Sequence, residues 1–171
     1  MDKLWSPWRS QYIESFKDKT ESNGCIFCEV KDKNPEDADN LLVHKAALTF
    51  TILNLYPYNN GHLMVVPYRH TDDFQSLTKE ESTEIIDELK LAQLALLHVS
   101  GPQGFNIGVN MGKAAGAGIE EHLHFHLVPR WTGDTNFMPV IGEVKVISQD
   151  LLASKKQLLE AYKKIESAGR D

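Results

Sequence analysis

Residues 120–131 read EEHLHFHLVPRW, which places three of the chain's seven histidines at positions 122, 124 and 126, with Leu123, Phe125 and Leu127 between them. Imidazole exchanges its proton near neutral pH, and its neutral form is both a metal ligand and a nucleophile. Side chains on a strand alternate between faces. An extended segment therefore sends His122, His124 and His126 to one face, about 6.5 Å apart by twice the strand rise. A helix would scatter the same residues over two faces. The alternation predicts a strand through this stretch, ended by Pro129-Arg130. The bland alternative is a half-exposed strand rich in histidine for no chemical reason, but clustering of one titratable type points to metal or proton chemistry. Two classes fit. In one the histidines ligate a metal, with Glu120 and Glu121 at hand. In the other a neutral His124 attacks phosphorus. Spacing alone does not separate them.

Two further stretches carry chemistry. Both cysteines lie in CIFC, as Cys25 and Cys28. Such a pair can be a disulfide, a redox centre or half of a zinc site. The flanks DKTESNG and EVKDKNPEDAD form a polar knuckle, unlike the strand-to-helix setting of a thioredoxin-type redox pair. A zinc site here needs two more ligands from histidines. The loop GKAAGAG (112–118) runs directly into the histidine stretch. Its glycines let backbone amides approach an anion closely. It matches no P-loop or dinucleotide fingerprint, so by itself it is weak. Lys113 and Arg130 could add charge, although the usual role of such residues is a solvated surface.

The elements that position these residues follow from pattern. NLLVHKAALTFTILN (40–54) reads as two short strands around His44-Lys45, YPYNNG (56–61) as a turn, and HLMVVP (62–67) as a buried strand. The clearest helix spans LTKEESTEIIDELKLAQLALLHVS. Thr78 and Glu81 fit a capping box, and Ile85, Ile86, Leu89, Ala92, Leu96 and Leu97 make its apolar stripe. GFNIGVNM (104–111) is a strand, and SQDLLASKKQLLEAYKKIESAG closes the chain as an amphipathic helix. Strands outnumber helices and connections are short, which predicts an α+β fold with an antiparallel sheet and helices on one side. The 171 residues suit one domain, with an N-terminal arm (1–24) carrying Trp5, Trp8 and Tyr12, a core (25–146) and a C-terminal helix (147–171). A net charge of −6 offers no global field for nucleic acid or membranes. No apolar run approaches a membrane span, and the first residues lack a signal-peptide core, so a cytoplasmic location is the expectation.

HLHFHLV matches the alternating histidine signature of the histidine triad (HIT) superfamily. ILNLYPYNNGHLMVVPYRH is similar to the segment joining two of that superfamily's core strands. LWSPWR, CIFC, GAGIEEHLHFHLVPRWTGDTNFMPV and the closing helix resemble its bacterial and archaeal diadenosine tetraphosphate phosphorylase branch. The likeness covers nearly the whole chain. It implies a HIT-like antiparallel sheet with a long helix and a C-terminal helix packed on it. It also implies a nucleotidyl-histidine intermediate on His124, with His126 and His62 in the histidine network around the phosphate. Asn54 takes the ribose position, Asn110 lies near phosphate or leaving group, and the amides of Gly116, Ala117 and Gly118 meet phosphate oxygens. Zinc-bearing relatives, galactose-1-phosphate uridylyltransferase among them, match at Cys25, Cys28, His70 and His122. Four N/S ligands imply a structural zinc.

The implied substrate is a dinucleoside polyphosphate, cleaved by inorganic phosphate or water, in a homodimer or higher homo-oligomer. A general nucleotide hydrolase or phosphoramidase, and a catalytically idle nucleotide-binding adaptor, are the alternatives. Many HIT hydrolases carry Gln and then Ser or Thr where this chain has Gly118 and Ile119, and the loop from Asn110 is one residue longer. Backbone contacts must then replace side-chain contacts, which favours the phosphorylase-like reading. Several residues have plainer expectations. His44 is read as a surface residue and His98 as suiting the negative end of its helix. Phe50, Leu53 and Tyr56 serve the base pocket or the core. Trp131 and Phe137 cover a nucleoside or anchor their loop.

Overall fold

The computed structural model describes residues 24–134 and 150–169. The N-terminal arm up to residue 23 and Phe137 lie outside the described residues. Five strands, β1 (Leu42–Lys45), β2 (Thr49–Leu53), β3 (Leu63–Pro67), β4 (Gly104–Val109) and β5 (Phe125–Arg130), form one antiparallel sheet in the order β1-β2-β3-β5-β4. The helices are α1 (Ile26–Val30), α2 (Lys79–Ser100) and α3 (Leu151–Ala168). This is the α+β architecture expected. No helix among the described residues is long and apolar enough to cross a membrane.

One face of the sheet carries α2 and α3. Leu53, Leu63, Val65, Phe125 and Leu127 meet Ile85, Leu89, Leu96, Leu158 and Ile165 there in the main apolar core. The other face has a smaller cluster of Phe27, Leu42, Phe50, Ile52, Met64 and Val66. Both faces of β2 and β3 are covered, so these strands are buried at every position and β3 reads as a nearly continuous apolar run. Phe50 and Leu53 are core residues.

The capping box of α2 forms as expected. Thr78 Oγ1 accepts from the Glu81 amide at 3.1 Å, and Glu81 Oε2 accepts from the Thr78 amide at 2.9 Å. Arg69 also grips Glu81 in two bonds of 2.8 and 2.7 Å, and its guanidinium pulls the Glu81 carboxyl down to about 2. The start of α2 is thereby tied to the segment that carries His70. Of the expected stripe, Ile85, Leu89, Ala92 and Leu96 are buried, whereas Ile86 and Leu97 are exposed. Each is one residue, about 100°, round from the core-facing row. Glu88, Leu91 and Ala95 complete that face instead.

His44 departs from its expected surface position. It lies within β1 rather than in the turn, and it is 8% exposed. Its Nδ1 meets Glu88 of α2 at 2.8 Å, its Nε2 meets Glu166 of α3 at 2.9 Å, and its ring stacks on Tyr162 at 4.8 Å. Strict alternation would put His44 on the face of Leu42, away from the helices. The register shift between Leu42 and His44 turns it to the helical face, where the two carboxylates come from helices distant in sequence. Lys155 makes a second polar fastening of α3. Its Nζ donates to the carbonyls of Asp37 and Asn40 and to Asn40 Oδ1, using all three of its protons.

Burial works against a charged His44, but Glu88 and Glu166 outweigh it and its pKa rises above the ordinary value. A raised histidine pKa gives stability that is full below the unfolded value of about 6.5 and fades as pH climbs through the folded value. Removing the imidazolium from a carboxylate as buried as Glu88 costs on the order of 3 kcal/mol. Urea unfolding between pH 6 and 9 should therefore show His44→Ala markedly less stable than wild type at pH 6. The gap should narrow toward pH 9; a constant gap would contradict the ion pair.

Candidate active site and metal centre

Strand alternation puts the candidate site on the face opposite α2 and α3. Phe125 and Leu127 point into the main core, so His124 and His126 point the other way. His126 pairs with Met64 across β3–β5, and Met64 pairs with Ile52 across β2–β3. Asn54 follows Ile52 by two residues and His62 precedes Met64 by two, which brings both to the same end of the same face. The Asn54 amide donates to the His62 carbonyl at 2.9 Å and closes that end.

The histidine strand is shorter than its alternation suggests at one end and longer at the other. β5 starts at Phe125, and its ladder with β3 runs only from Val65–Phe125 to Leu63–Leu127. Pro67 has no N–H to continue a ladder. The chain at 122–123 bonds elsewhere instead: the Leu123 amide donates to the Thr71 carbonyl at 2.8 Å, and His122 Nε2 donates to the Pro67 carbonyl at 2.8 Å. At the far end Pro129 does not stop the strand, which continues against β4 to Arg130. Pro129 lies beyond the β3 pairing, and its carbonyl accepts from Asn59 Nδ2.

The bond to Pro67 decides what His122 can do. With its proton on Nε2, the bare Nδ1 faces Cys25 Sγ at 3.3 Å and Cys28 Sγ at 3.7 Å, while His70 Nδ1 lies 3.4 Å from Cys28 Sγ. All four ligand atoms lie within 4.8 Å of one another. Zinc–sulfur and zinc–nitrogen bond lengths give tetrahedral edges of roughly 3.4–3.8 Å, which these separations resemble. The set fits a closed, four-coordinate metal ion. A carbonyl that fixes the tautomer of a ligand histidine is the usual support of such a site. Burial pushes the Cys25 thiol up; a bound cation reverses this, since coordinated thiols deprotonate.

His124 is held by its own neighbour. Its Nδ1 donates to the His122 carbonyl at 2.9 Å, which leaves Nε2 unprotonated, and burial lowers its pKa so that the neutral form prevails at pH 7. A second chain of bonds sets His126. The Tyr58 amide donates to His62 Nδ1 at 3.0 Å, so His62 carries its proton on Nε2. That nitrogen donates to His126 Nδ1 at 3.0 Å. A neutral His126 therefore bears its proton on Nε2, an atom that is buried and has no partner among the described residues. Burial first, then the nearby His124 charge, pull its pKa down to about 4. The rings of His124 and His126 meet edge-on at 4.9 Å. A bare nucleophilic nitrogen thus stands beside a fixed N–H donor, a pairing suited to attack on phosphorus with a hydrogen bond to a phosphoryl or leaving oxygen.

The other expected site residues are less directly engaged. Asn54 Oδ1 accepts from the Tyr56 amide at 2.9 Å, and its Nδ2 lies 3.3 Å from His62 Nδ1. Asn110 follows β4, and no hydrogen bond joins it to the histidines among the described residues. In the glycine loop, Gly116 has φ of +85° and closes a turn on Lys113, and the Ala117 amide bonds to Gly112. Of the three expected phosphate-facing amides, only that of Gly118 lacks a backbone partner among the described residues. Lys113 pairs with Glu120 at 3.5 Å, and Arg130 is taken up by Asp134 and Asn106. Trp131 Nε1 donates to the Ser100 carbonyl, which anchors its loop. His98 bonds back to the Leu94 carbonyl, away from the site. Two neighbours of the site went unmarked by sequence pattern. Phe27, one of the two apolar residues between the cysteines, packs on His122 and His124. Tyr58 lies over His62 and His126 at 4.8 and 5.8 Å. Only the apolar character of Phe27 inside a polar knuckle could have drawn attention to it.

The HIT-domain family profile matches residues 35–133. The chain belongs to the HIT-domain family. The AP-4-A phosphorylase of Mycobacterium tuberculosis H37Rv is 42% identical over 164 residues, covering 93% of this chain and 83% of that protein. An uncharacterized HIT-like protein of Methanocaldococcus jannaschii is 32% identical over 126 residues, covering 74% of this HIT chain and 93% of its relative. Among solved structures, a Zn-bound histidine triad family protein from Mycobacterium smegmatis superposes with a TM-score of 0.68 at 25% identity, covering 85% and 98% of the two chains.

Metal emission spectroscopy on the purified protein should find about one transition-metal ion per chain, by the one-ion, four-ligand arithmetic of a closed site. Cys25→Ser should lose most of it. An unchanged metal content in that variant would place the ion elsewhere.

Proposed function

We propose that this protein cleaves dinucleoside polyphosphates of the diadenosine tetraphosphate type through a nucleotidyl-histidine on His124. The observation that carries this reading is the hydrogen bond from His124 Nδ1 to the His122 carbonyl, which leaves Nε2 as a neutral nucleophile. Nε2 attacks the α-phosphorus, a P–N bond forms and the bond to the leaving polyphosphate oxygen breaks. His126 Nε2–H, aligned through His62 and the Tyr58 amide, donates to that oxygen or to the phosphoryl group. Attack on the intermediate by inorganic phosphate returns His124 and gives a nucleoside diphosphate; attack by water gives a monophosphate. Asn54 holds the ribose and Asn110 the phosphate or leaving group, and the turn at Gly116–Gly118 offers amide contact to phosphate through Gly118. The likeness to an AP-4-A phosphorylase over nearly the whole chain favours phosphate as acceptor.

The ion in the Cys25, Cys28, His70 and His122 set is zinc in this reading. The sulfur-rich donor set and the Zn-bound relative support it. Its contribution is structural, binding the knuckle to the end of β3 and to the approach of β5. Cysteines kept as ligands rather than as a disulfide suit a reducing, cytoplasmic setting. The protein acts as a homodimer, joined along the β4 edge. That strand has no outer partner among the described residues and presents Ile107 at 56% exposure, the kind of edge natural proteins cover.

Purified protein incubated with diadenosine tetraphosphate and inorganic phosphate should yield ADP and ATP, and His124→Ala should lose at least a thousandfold in rate, as removal of a covalent nucleophile does. ATP plus AMP formed without phosphate would make the enzyme a hydrolase. Binding without turnover, indifferent to His124→Ala, would leave only an adaptor. Sedimentation should show a dimer that Ile107→Glu converts to monomer.

A further inference from the structure

The metal knuckle and the nucleophile share one side chain. Phe27 is the buried residue of α1, 1% exposed, and lies between the ligands Cys25 and Cys28 in sequence. Its ring meets the His124 ring at 5.1 Å and, edge-on, the His122 ring at 5.4 Å. It also packs into the cluster of Leu42, Phe50, Ile52, Met64 and Val66 beneath the site. A five-residue helix has no stability of its own. The α1 N-cap makes no side-chain bond, and among the described residues its polar tie beyond the Cys–His set is a 3.5 Å contact from Nζ of the C-cap Lys31 to the Tyr68 carbonyl. The apolar cluster buries Phe27, and what draws Cys25 and Cys28 toward His70 and His122 adds the directional hold on α1.

The nucleophile in turn needs a neighbour. The bond from His124 Nδ1 to the His122 carbonyl fixes the proton but acts at one atom, and rotation of the ring about that bond is limited by packing. Among the described residues two rings touch it, those of Phe27 and His126. His126 is itself fixed through His62. Phe27 is thus the contact of His124 whose placement answers to the metal ligands.

We propose that Phe27 is a positioning residue that couples the metal site to the aim of His124. When the four ligands close on the ion, they seat Phe27 against the imidazole and restrict it to the orientation that presents Nε2 to phosphorus. The inference rests on His124 being the nucleophile. It predicts a function for the ion that involves no coordination of substrate: the ion acts on turnover through an apolar ring.

The test uses metal-loaded full-length protein with Phe27→Leu, which keeps an apolar filler, and Phe27→Tyr, which keeps the ring. Metal content and circular dichroism establish that each variant is loaded and folded. Phe27→Leu should lower kcat about tenfold with KM changed less than twofold, the split expected when an attack geometry rather than binding is lost. Phe27→Tyr should recover most of kcat. The second readout does not depend on activity. Exchange of the bound zinc for cadmium, a larger ion, shifts the knuckle, and the Cε1–H resonance of His124 should move in the wild type and much less in Phe27→Leu. An equal cadmium response in both proteins would mean that the metal reaches His124 through the His122 backbone, and would overturn the proposal. So would a Phe27→Leu variant with full kcat. Turnover that survives His124→Ala would instead sink the nucleophile assignment while leaving the resonance comparison readable.

Discussion

A histidine whose one nitrogen is committed to the backbone has a single chemical identity, and that constraint organises this protein. The Pro67 carbonyl takes the Nε2 proton of His122, which turns Nδ1 to the cysteines. The His122 carbonyl takes the Nδ1 proton of His124, which bares Nε2. The Tyr58 amide occupies His62 Nδ1, which sends a proton through His62 to His126 and leaves an N–H at the site. Three imidazoles spaced two residues apart thereby differ in what they present: His122 a bare Nδ1 to the cysteines, His124 a bare Nε2, and His126 an N–H. Of these backbone groups the Pro67 carbonyl ends β3, while the Tyr58 amide and the His122 carbonyl lie in the segments that lead into β3 and β5.

The architecture around the histidines serves that rigidity. β5 lies inside the sheet, flanked by β3 and β4, and its opposite face is pressed by Phe125 and Leu127 into the helical core. A shift of one residue in register would swap histidines for apolar residues on both faces at once, a costly change when both are buried. The helices are secured by separate polar contacts. Arg69–Glu81 fastens the start of α2, the His44 ion pairs join α2 and α3 to β1, and Lys155 fastens α3 to the 37–40 turn. Each contact gives a buried group, Glu81, His44 or Lys155, directional partners, which favours one arrangement of the layers over others that would leave those groups bare.

The proline at the end of β3 has an effect out of proportion to its size. By lacking an N–H it releases residues 122–124 from the ladder, and its carbonyl becomes the acceptor that orients His122. A regular strand would have sent the first histidine into the same row as the other two. The break in the ladder is what turns His122 toward the cysteines and parts it from His124 and His126 in a motif that is periodic in sequence.

Much of this was open to reading from the chain alone, because it depends on local rules. Alternation at 122–127 marks one face for the histidines and the other for the core. Thr78 and Glu81 mark the start of a helix, and the apolar run at 62–67 marks a buried strand. The pairing of Cys25 and Cys28 with His70 and His122 was legible through family likeness. Four residues so far apart carry no mutual signal of their own. What only the tertiary structure decided was partnership across long separations. His44 looks like a turn residue until Glu88 and Glu166 are brought to it. Ile86 and Leu97 look like core until the rotation of α2 against the sheet is set. Phe27 is one apolar letter in CIFC until α1 folds back onto His124. Local periodicity is written into the covalent order of side chains, whereas a tautomer or a buried ion pair depends on which distant atom arrives within about 3 Å.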